Sequence, residues 1–434
     1  MTVPAELATA CADTETASPT DAIAGRQARY VAAPASTDEA SALLRAAAGL
    51  GLTVVPRGAG LLQHWGNPPD SCDLIVDTRH LDRVIEHLPG DFTVTVQAGV
   101  RLPRLAEMLQ DADQSLRLSP PRRAWTGTVG GVVATNAAGL LRFRYGTPRD
   151  QLIGITAVRA GGRIVRSGDA ATGRDLARLF AGSYGTFGLI TEATFRVHPL
   201  AHGSAGVGFQ CADPDEATRI VGIVAADSWL APSGIELGWR SANQPIWVTV
   251  VVERDSEDYQ ERVNQLHVLA GRGPMLPIDR AKVGRPIPQT IPQTVPQTVA
   301  QTVQDHRDQI LDPPAETATL VRTSFPPEQL ANALTTIHAT SAASGLATAI
   351  EGSAGVGVLD VKVPGETPAA AVAHFVVALS TELDRVARVV LLSAPDQVRE
   401  LTRNSLPPQS LDQSIKDEFD PEHRMAPGRL AEPA

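Results

Sequence analysis

Gly127-Thr128-Val129-Gly130-Gly131 and Gly182-Ser183-Tyr184-Gly185-Thr186-Phe187-Gly188 are two glycine-rich loops within residues 125–199, a stretch that closes on the strand-like Leu189-Ile190-Thr191-Glu192-Ala193-Thr194-Phe195-Arg196-Val197. Residues without a side chain let the backbone approach a bulky ligand, and the exposed N–H groups of such loops favour anionic groups such as phosphate. The stretch reads as half of a cofactor cradle.

Upstream, residues 52–56 read as a short buried strand running into a third tight loop, Arg57-Gly58-Ala59-Gly60. Gly58 and Gly60 after a strand, with Asp77 about 20 residues on, raise a dinucleotide-binding βαβ unit. The rest of that pattern is missing. Gln63 occupies the third glycine position, and Pro68-Pro69 sit where the helix would continue, which removes the helix N-terminus a pyrophosphate needs.

Around these loops the text alternates between helix and strand. Thr37–Gly49 has a cap-like Thr37, acids in its first turn and a terminal glycine, and predicts a helix. Residues 92–100 alternate like a strand and 102–109 have helical spacing. The small residues of 132–139 suit close packing over a ligand, and 144–150 form a polar turn in which Tyr145 and Asp150 are candidates to face a bound ring, with a turn-stabilising role the equal alternative for Asp150. Residues 152–158, Gly161-Gly162 and 163–166 predict a hairpin, followed by a short helix at 175–180.

At 434 residues the chain is too long for one ordinary core, while 43% apolar residues suffice for two or three packed interiors. The formal charge of −10 argues against a nucleic-acid surface or an anionic membrane as partner. Cys11, Cys72 and Cys211 are odd in number and far apart, so a disulfide framework is not expected and a reducing compartment is. They are too few to hold an iron–sulfur cluster, and no stretch has ligand spacing for zinc or iron. Residues 1–25 lack a basic start and an apolar run, and are expected to be a disordered tail rather than a signal peptide. No apolar run is long enough to span a bilayer, so a soluble, cytoplasmic protein is expected.

Beyond residue 200, helix-like text at 214–226, 260–270 and 330–344 alternates with strand-like text at 207–210, 246–253 and 357–363. The pattern predicts an α+β cap domain over 201–405 with a ferredoxin-like antiparallel sheet. Residues 287–304 interrupt it with Ile-Pro-Gln-Thr, Ile-Pro-Gln-Thr, Val-Pro-Gln-Thr and Val-Ala-Gln-Thr, where proline every fourth residue prevents a continuous helix and predicts an extended, polyproline-like excursion. After the last proline, 299–311 is able to turn helical.

Taken jointly and in order, Pro56-Arg57-Gly58-Ala59-Gly60, Gly127-Thr128-Val129-Gly130-Gly131, Ala134-Thr135-Asn136-Ala137-Ala138-Gly139, Arg144-Tyr145-Gly146 and Gly185-Thr186-Phe187-Gly188-Leu189-Ile190-Thr191-Glu192 resemble the FAD-binding domain of the vanillyl-alcohol oxidase and p-cresol methylhydroxylase flavoproteins. The likeness covers about 30–199. Within that family it is strongest to the FAD-binding subunit of glycolate oxidase, the E subunit, and extends to Leu320-Val321-Arg322-Thr323-Ser324-Phe325-Pro326 and to the closing Ile415-Lys416-Asp417-Glu418-Phe419-Asp420-Pro421 with Pro427-Gly428-Arg429.

The resemblance implies a two-subdomain FAD-binding domain at 26–200, the cap at 201–405, and a C-terminal segment, 406–434, that returns to the FAD-binding domain. It implies FAD with its diphosphate on Pro56, Arg57, Gly58, Ala59 and Gly60 and on Gly127, Thr128, Val129, Gly130 and Gly131, and its adenine end near Gly188 and Ile190. Thr135, Asn136, Gly139, Tyr145 and Gly146 complete the implied cofactor set. Departures from the family pattern matter. Leu61 follows Gly60, and His64 comes three residues later, where several members carry the histidine that attaches FAD covalently; non-covalent FAD is expected. Ala426 replaces an asparagine and Ala59 a glycine.

With FAD bound, the expected reaction is hydride transfer from a hydroxyl-bearing carbon to the flavin while a base removes the hydroxyl proton. Arg322, in an apolar cap strand, is the candidate clamp for a substrate carboxylate, with a structural ion pair as the equal alternative. His338 and His374 lie on helix-like text and read as packing or surface residues, and no catalytic base stands out. The expected function is that of an FAD-binding oxidoreductase subunit of a glycolate-oxidase-like complex, working on a small 2-hydroxy acid with a catalytic flavoprotein subunit and an iron–sulfur subunit. Through these it would be peripheral to the inner face of a membrane. The alternatives are a stand-alone FAD-dependent 2-hydroxy-acid dehydrogenase and a structural subunit whose flavin site has decayed.

Overall fold

The computed structural model describes residues 2–167, 176–201, 203–241, 243–253, 257–269, 277–279, 318–403 and 410–429. The repeat at 287–304 and the helix expected within 299–311 lie outside them.

The first subdomain is a four-stranded sheet. Its strands are β1 (Thr14–Thr16), β4 (Tyr30–Ala32), β6 (Leu74–Asp77) and β5 (Val54–Arg57) in that spatial order, with a small hairpin of β2 (Ala22–Ile23) and β3 (Arg26–Gln27) beside it. β4, β6 and β5 are parallel; β4 and β6 are buried throughout, and β5 buries Val54 and Val55 before Pro56 and Arg57 emerge at the sheet's end. The helix Thr37–Gly49 covers one face with Ala40, Leu43, Leu44 and Ala47, the i, i+3, i+4, i+7 stripe of an amphipathic helix. Its cap is Ser36, whose hydroxyl accepts from the Glu39 N–H; Thr37, expected as the cap, instead donates its hydroxyl to Thr191 Oγ1 at 3.0 Å.

The first 25 residues are not a disordered tail. They contain the helix Ala5–Ala10 and two short strands. Leu7 and Cys11 are fully buried in the same core as the helix Thr37–Gly49, and Asp21 pairs with Arg57 at 2.8 Å. Two apolar anchors and one ion pair suffice to order a segment whose composition alone looked solvated.

A second sheet carries the order β11 (Ile164–Ser167), β10 (Leu152–Val158), β12 (Leu189–Arg196), β8 (Thr93–Gln97), β7 (Val84–Leu88), all antiparallel. Alternate residues, Val94 and Val96, Ile155 and Ala157, Ala193 and Phe195, fill its core together with the helix Leu102–Gln110. A two-stranded pair, β9 (Gln114–Ser115) and β13 (His198–Pro199), leads out of it.

The cap is an eight-stranded antiparallel sheet. Its strands are β14 (Ser204–Cys211), β15 (Gly234–Trp239), β16 (Ile246–Glu253), β17 (Pro277–Asp279), β18 (Thr319–Ser324), β19 (Ala349–Ser353), β20 (Val358–Val363) and β21 (Arg388–Ser393), arranged 17-14-16-15-19-20-18-21. Each half runs β-α-β-β-α-β, with helices Pro214–Ala226 and Tyr259–Leu269 in the first and Leu330–Ala343 and Ala369–Glu382 in the second. Each half also has the 4-1-3-2 strand order of a ferredoxin-like unit. The single ferredoxin-like sheet expected from the sequence is therefore doubled, with the two units joined edge to edge where β15 pairs with β19, Leu237 opposite Gly352. The joint removes one exposed edge from each half.

Strand alternation then sorts the cap's two faces. Val248, Val250, Val252, Val321, Leu359 and Val361 lie under the helices. Their neighbours of opposite parity, Val251, Glu253, Arg322 and Asp360, point the other way. Val251 packs on Leu140 and Leu141 of the first domain, so this helix-free face is the one turned to the glycine loops.

Candidate functional site

The three glycine-bearing loops meet along one trench. β5 delivers Pro56, Arg57, Gly58, Ala59 and Gly60; the turn before the helix Val129–Thr135 delivers Gly127, Thr128, Gly130 and Gly131, with Thr135 one turn on; the loop before β12 delivers Tyr184, Gly185, Gly188 and Ile190. Leu61, Leu62, Gln63 and Arg429 complete the wall.

Backbone forms much of this lining because side chains do not fit. A Cβ on Gly58 would stand 2.2 Å from Thr128 Oγ1, one on Gly130 2.7 Å from Ala98 Cβ, and one on Gly188 2.4 Å from the Val158 carbonyl. Gly60 also takes φ +74°, a left-handed conformation that costs other residues more. Thr128 caps its helix, its hydroxyl accepting from the Gly131 N–H at 3.2 Å. An extended cofactor with a diphosphate requires room against bare backbone and N–H donors. The three loops supply the room. The N–H groups of Gly58, Ala59 and Gly60 make no hydrogen bond among the described residues, whereas those of Gly127, Gly130 and Gly131 are engaged by the Ala124 and Ala98 carbonyls and Thr128, so the residues fit FAD with donors from the loop 57–60.

Several expected cofactor residues lie elsewhere. Val129 is fully buried in the core beneath the trench. Asn136 ends the helix in the left-handed region, and its Oδ1 accepts from the Arg149 N–H at 3.0 Å. Gly139 accepts from Arg142 N, and Gly146, at φ +76°, is a turn residue against Asp150. Asp150 closes a capping box with Thr147. Tyr145, expected to face the flavin ring, turns instead to the cap, where its phenol donates to Glu253 Oε2 at 2.5 Å. The segment 139–145 is a plug between domains: Leu140 abuts Gly234, and a Cβ on Gly355 would stand 2.5 Å from the Phe143 ring. Arg57 lines the trench while its guanidinium bonds Asp21 and Asp77.

At its Tyr184 end the trench approaches the helix-free face of the cap. The loop 61–67 lies between them, with Gly66 N bonded to the Leu392 carbonyl of β21 at 2.8 Å and the Tyr184 ring about Gly66. Arg322 sits here, paired across the sheet with Asp360 through Nε–Oδ1 at 2.7 Å and Nη2–Oδ2 at 2.8 Å and stacked 5.4 Å from the Trp65 ring centre. Arg399 gives its three nitrogens to the Ala394 and Leu392 carbonyls and Asn67, and Arg429 binds Gln63 and the Trp65 carbonyl. Burial first, then Arg123, Arg399 and Arg429, push His64 down to about 4, so its imidazole is neutral at physiological pH. His338 rests on Trp239 and His374 is exposed.

The closing segment binds the trench from behind. Lys416 Nζ donates to the Thr186 and Met425 carbonyls at 2.9 and 2.7 Å and pairs with the buried Asp420, while Ala426 N bonds the Val54 carbonyl beside β5. Sequence reasoning missed Lys416, Glu253 and Tyr184. The available signals were a lysine four residues before an aspartate on a helix, a lone acid ending an apolar strand, and a tyrosine between glycines.

A family model for an FAD binding domain matches residues 28–168, the span that builds the first two walls of the trench. The chain carries an FAD-binding domain of the p-cresol methylhydroxylase type. FAD is its cofactor, and the FAD-binding domain is similar to that of an uncharacterised FAD-linked oxidoreductase of Mycobacterium tuberculosis, 34% identical over 211 residues, 48% of this chain and 45% of that protein. A glycolate oxidase subunit of Bacillus subtilis is 34% identical over 175 residues, 39% and 37% of the two chains. A D-lactate dehydrogenase of Archaeoglobus fulgidus is 34% identical over 176 residues, 39% and 38%. The matches span less than half the length of these relatives. A solved structure of alkyldihydroxyacetonephosphate synthase superposes with a TM-score of 0.64 over 93% of this chain and 76% of that one at 15% identity, so the likeness in fold continues through the cap. Among the described residues no helix is long and apolar enough to cross a membrane, and no group of three or more histidine, cysteine or acidic side chains is placed to hold a metal.

Proposed function

We propose that the chain is an FAD-dependent oxidoreductase acting on the hydroxyl-bearing carbon of a small 2-hydroxy acid. The observation that carries this reading is the convergence, at the Tyr184 end of the trench, of Arg322 from the cap's helix-free face with Arg429 from the closing segment. Bound FAD supplies a two-electron acceptor. The chain's own residues hold the nucleotide on backbone, exclude water by seating the cap on the plug 139–145, and present positive charge to a carboxylate. Relatives named as a glycolate oxidase subunit and a D-lactate dehydrogenase support a 2-hydroxy acid as the substrate class.

Within this reading, similarity to a protein named as a glycolate oxidase subunit supports a place in a multi-subunit complex; a catalytic flavoprotein partner, an iron–sulfur partner and a cytoplasmic location are what the family resemblance implies for it. Anaerobic addition of glycolate or D-lactate to the purified flavin-loaded chain tests both levels. Bleaching of the flavin by the chain alone supports a self-sufficient dehydrogenase, and bleaching only with a co-purifying cluster-bearing protein supports the subunit reading. A flavin that neither condition bleaches overturns the proposal.

A further inference from the structure

We propose that Arg429, carried by the closing segment, supplies the trench with a fixed positive charge that favours the reduced form of bound FAD. This rests on the oxidoreductase reading and assigns it an electrostatic residue.

Among the described residues the trench wall has two cations, Arg57 and Arg429, and no acid. Arg57 is neutralised: its guanidinium bonds Asp77 at 3.0 and 3.2 Å and Asp21 at 2.8 Å. Arg429 is not. It is 4% exposed, and its bonds go to uncharged oxygens, Nη1 to Gln63 Oε1 at 2.8 Å and Nη2 to the Gln63 and Trp65 carbonyls at 2.7 Å. Its Nε–H is buried with no partner, and no carboxylate stands within 4 Å of the guanidinium among the described residues. Burial pulls it down to about 10, which leaves it charged at neutral pH. A buried cation is ordinarily paired, because only an opposite charge offsets its loss of water. Arg429 therefore marks where the folded chain leaves room for negative charge brought by a ligand.

Its place in the trench decides which negative charge that is. The unbonded N–H groups of Gly58, Ala59 and Gly60 belong to the loop that opens the wall, whereas Arg429 grips the loop that follows, at Gln63 and Trp65. Trp65 stacks on Arg322 of the cap, and Gly66 N bonds the cap's Leu392 carbonyl. Arg429 thus lies at the end that meets the cap, beyond the donors suited to a diphosphate, where a substrate enclosed between the domains reaches the cofactor. A hydride leaving a hydroxyl-bearing carbon carries two electrons and one proton. Its arrival adds one negative charge to the trench, while the hydroxyl proton leaves through a base to solvent and the carbon becomes a carbonyl. A cation fixed there beforehand stabilises that charge without reorganising. Arg399 is the internal comparison: it grips the same loop at Asn67 and also bonds only uncharged oxygens, but it does not line the trench.

The test measures the reduction potential of the full flavin-loaded chain against a reference dye, and its affinity for sulfite, an anion that adds reversibly to oxidised flavin and bleaches it. Wild-type bound FAD should be reduced at a higher potential than free FAD in the same buffer. Arg429→Gln keeps a donor for the Gln63 and Trp65 carbonyls but no charge. It should weaken sulfite about tenfold and lower the potential by about 30 mV, the two-electron equivalent of a tenfold change. Arg429→Lys should recover most of both losses, and Arg399→Gln should leave both at wild-type values. Equal losses in Arg429→Gln and Arg429→Lys would mean a structural role and overturn the assignment, as would a wild-type potential at or below that of free FAD. Weaker FAD retention with an unshifted potential would place the charge on the diphosphate and overturn it too. If glycolate or D-lactate bleaches the wild-type flavin while Arg429→Gln keeps its potential, this assignment alone fails. If neither acid bleaches a flavin whose potential falls in Arg429→Gln and recovers in Arg429→Lys, the substrate reading alone fails.

Discussion

Tyr145 of the FAD-binding domain and Glu253 of the cap share a hydrogen bond of 2.5 Å, and Glu253 also stands 2.9 Å from Nη1 of Arg117 and accepts from Ser233 Oγ at 3.0 Å. Glu253 is fully buried and Arg117 nearly so. The pair joins the two domains through charge taken out of water. Glu253→Ala strands a buried guanidinium and should cost about 3–5 kcal/mol in urea unfolding. Glu253→Gln keeps hydrogen-bonding capacity and should cost less. Tyr145→Phe should cost about 1 kcal/mol and leave the flavin spectrum unchanged; a shifted spectrum would return Tyr145 to the cofactor.

Lys416 ties the second glycine loop, through the Thr186 carbonyl, to the closing segment, through Asp420 and Met425. Lys416→Met removes a buried cation and leaves Asp420 with a charge and no counter-ion, a loss of about 3 kcal/mol or more. Hydrogen exchange should quicken in 415–426 and in 183–188 together. Quickening confined to the closing segment would mean that the loop is held independently.

Glycine is required where loops cross. Gly58→Ala and Gly130→Ala each place a Cβ within 3 Å of a neighbouring atom, so flavin retained on gel filtration should fall sharply in both. Gly90→Ala, where a Cβ meets open space, should retain flavin like wild type. Equal retention in all three would remove the trench from consideration.

His64 has a folded-state pKa of about 4, below its ordinary 6.5. Between those values the unfolded chain binds the proton and the folded chain does not. Stability is therefore fully present above about 6.5 and is lost as the pH falls toward 4. In cofactor-free protein the loss should reach on the order of 2–3 kcal/mol. His64→Asn should flatten the pH dependence of the urea midpoint in that window, and an unchanged slope would assign it to other groups.

Much of the site was legible in the chain because its chemistry depends on a missing side chain. Gly58, Gly130 and Gly188 announce close backbone approach wherever they fall, and strand alternation locates Gly58 and Gly188 at strand ends. Arg322 was readable as a lone cation in an apolar strand, but not its fate. Only pairing β18 with β20 set Asp360 opposite it, and sequence separation hides such a partner. Tyr145 was misplaced for the same reason: it lies near the first loop in sequence, but Glu253, 108 residues away, supplies its hydrogen bond. The doubled cap was likewise concealed, since two ferredoxin-like units have the same element order whether they stand apart or join at β15 and β19.

By itself the sequence determined where backbone is bare, which residues alternate into cores, and hence an FAD-binding domain followed by an α+β cap. The tertiary structure decided which charges meet: it committed Arg322 to Asp360 and Tyr145 to Glu253. Glycine's conformational freedom and strand periodicity are local properties that a chain carries in its text. Desolvation and ion pairing depend on what folding brings within a few ångströms.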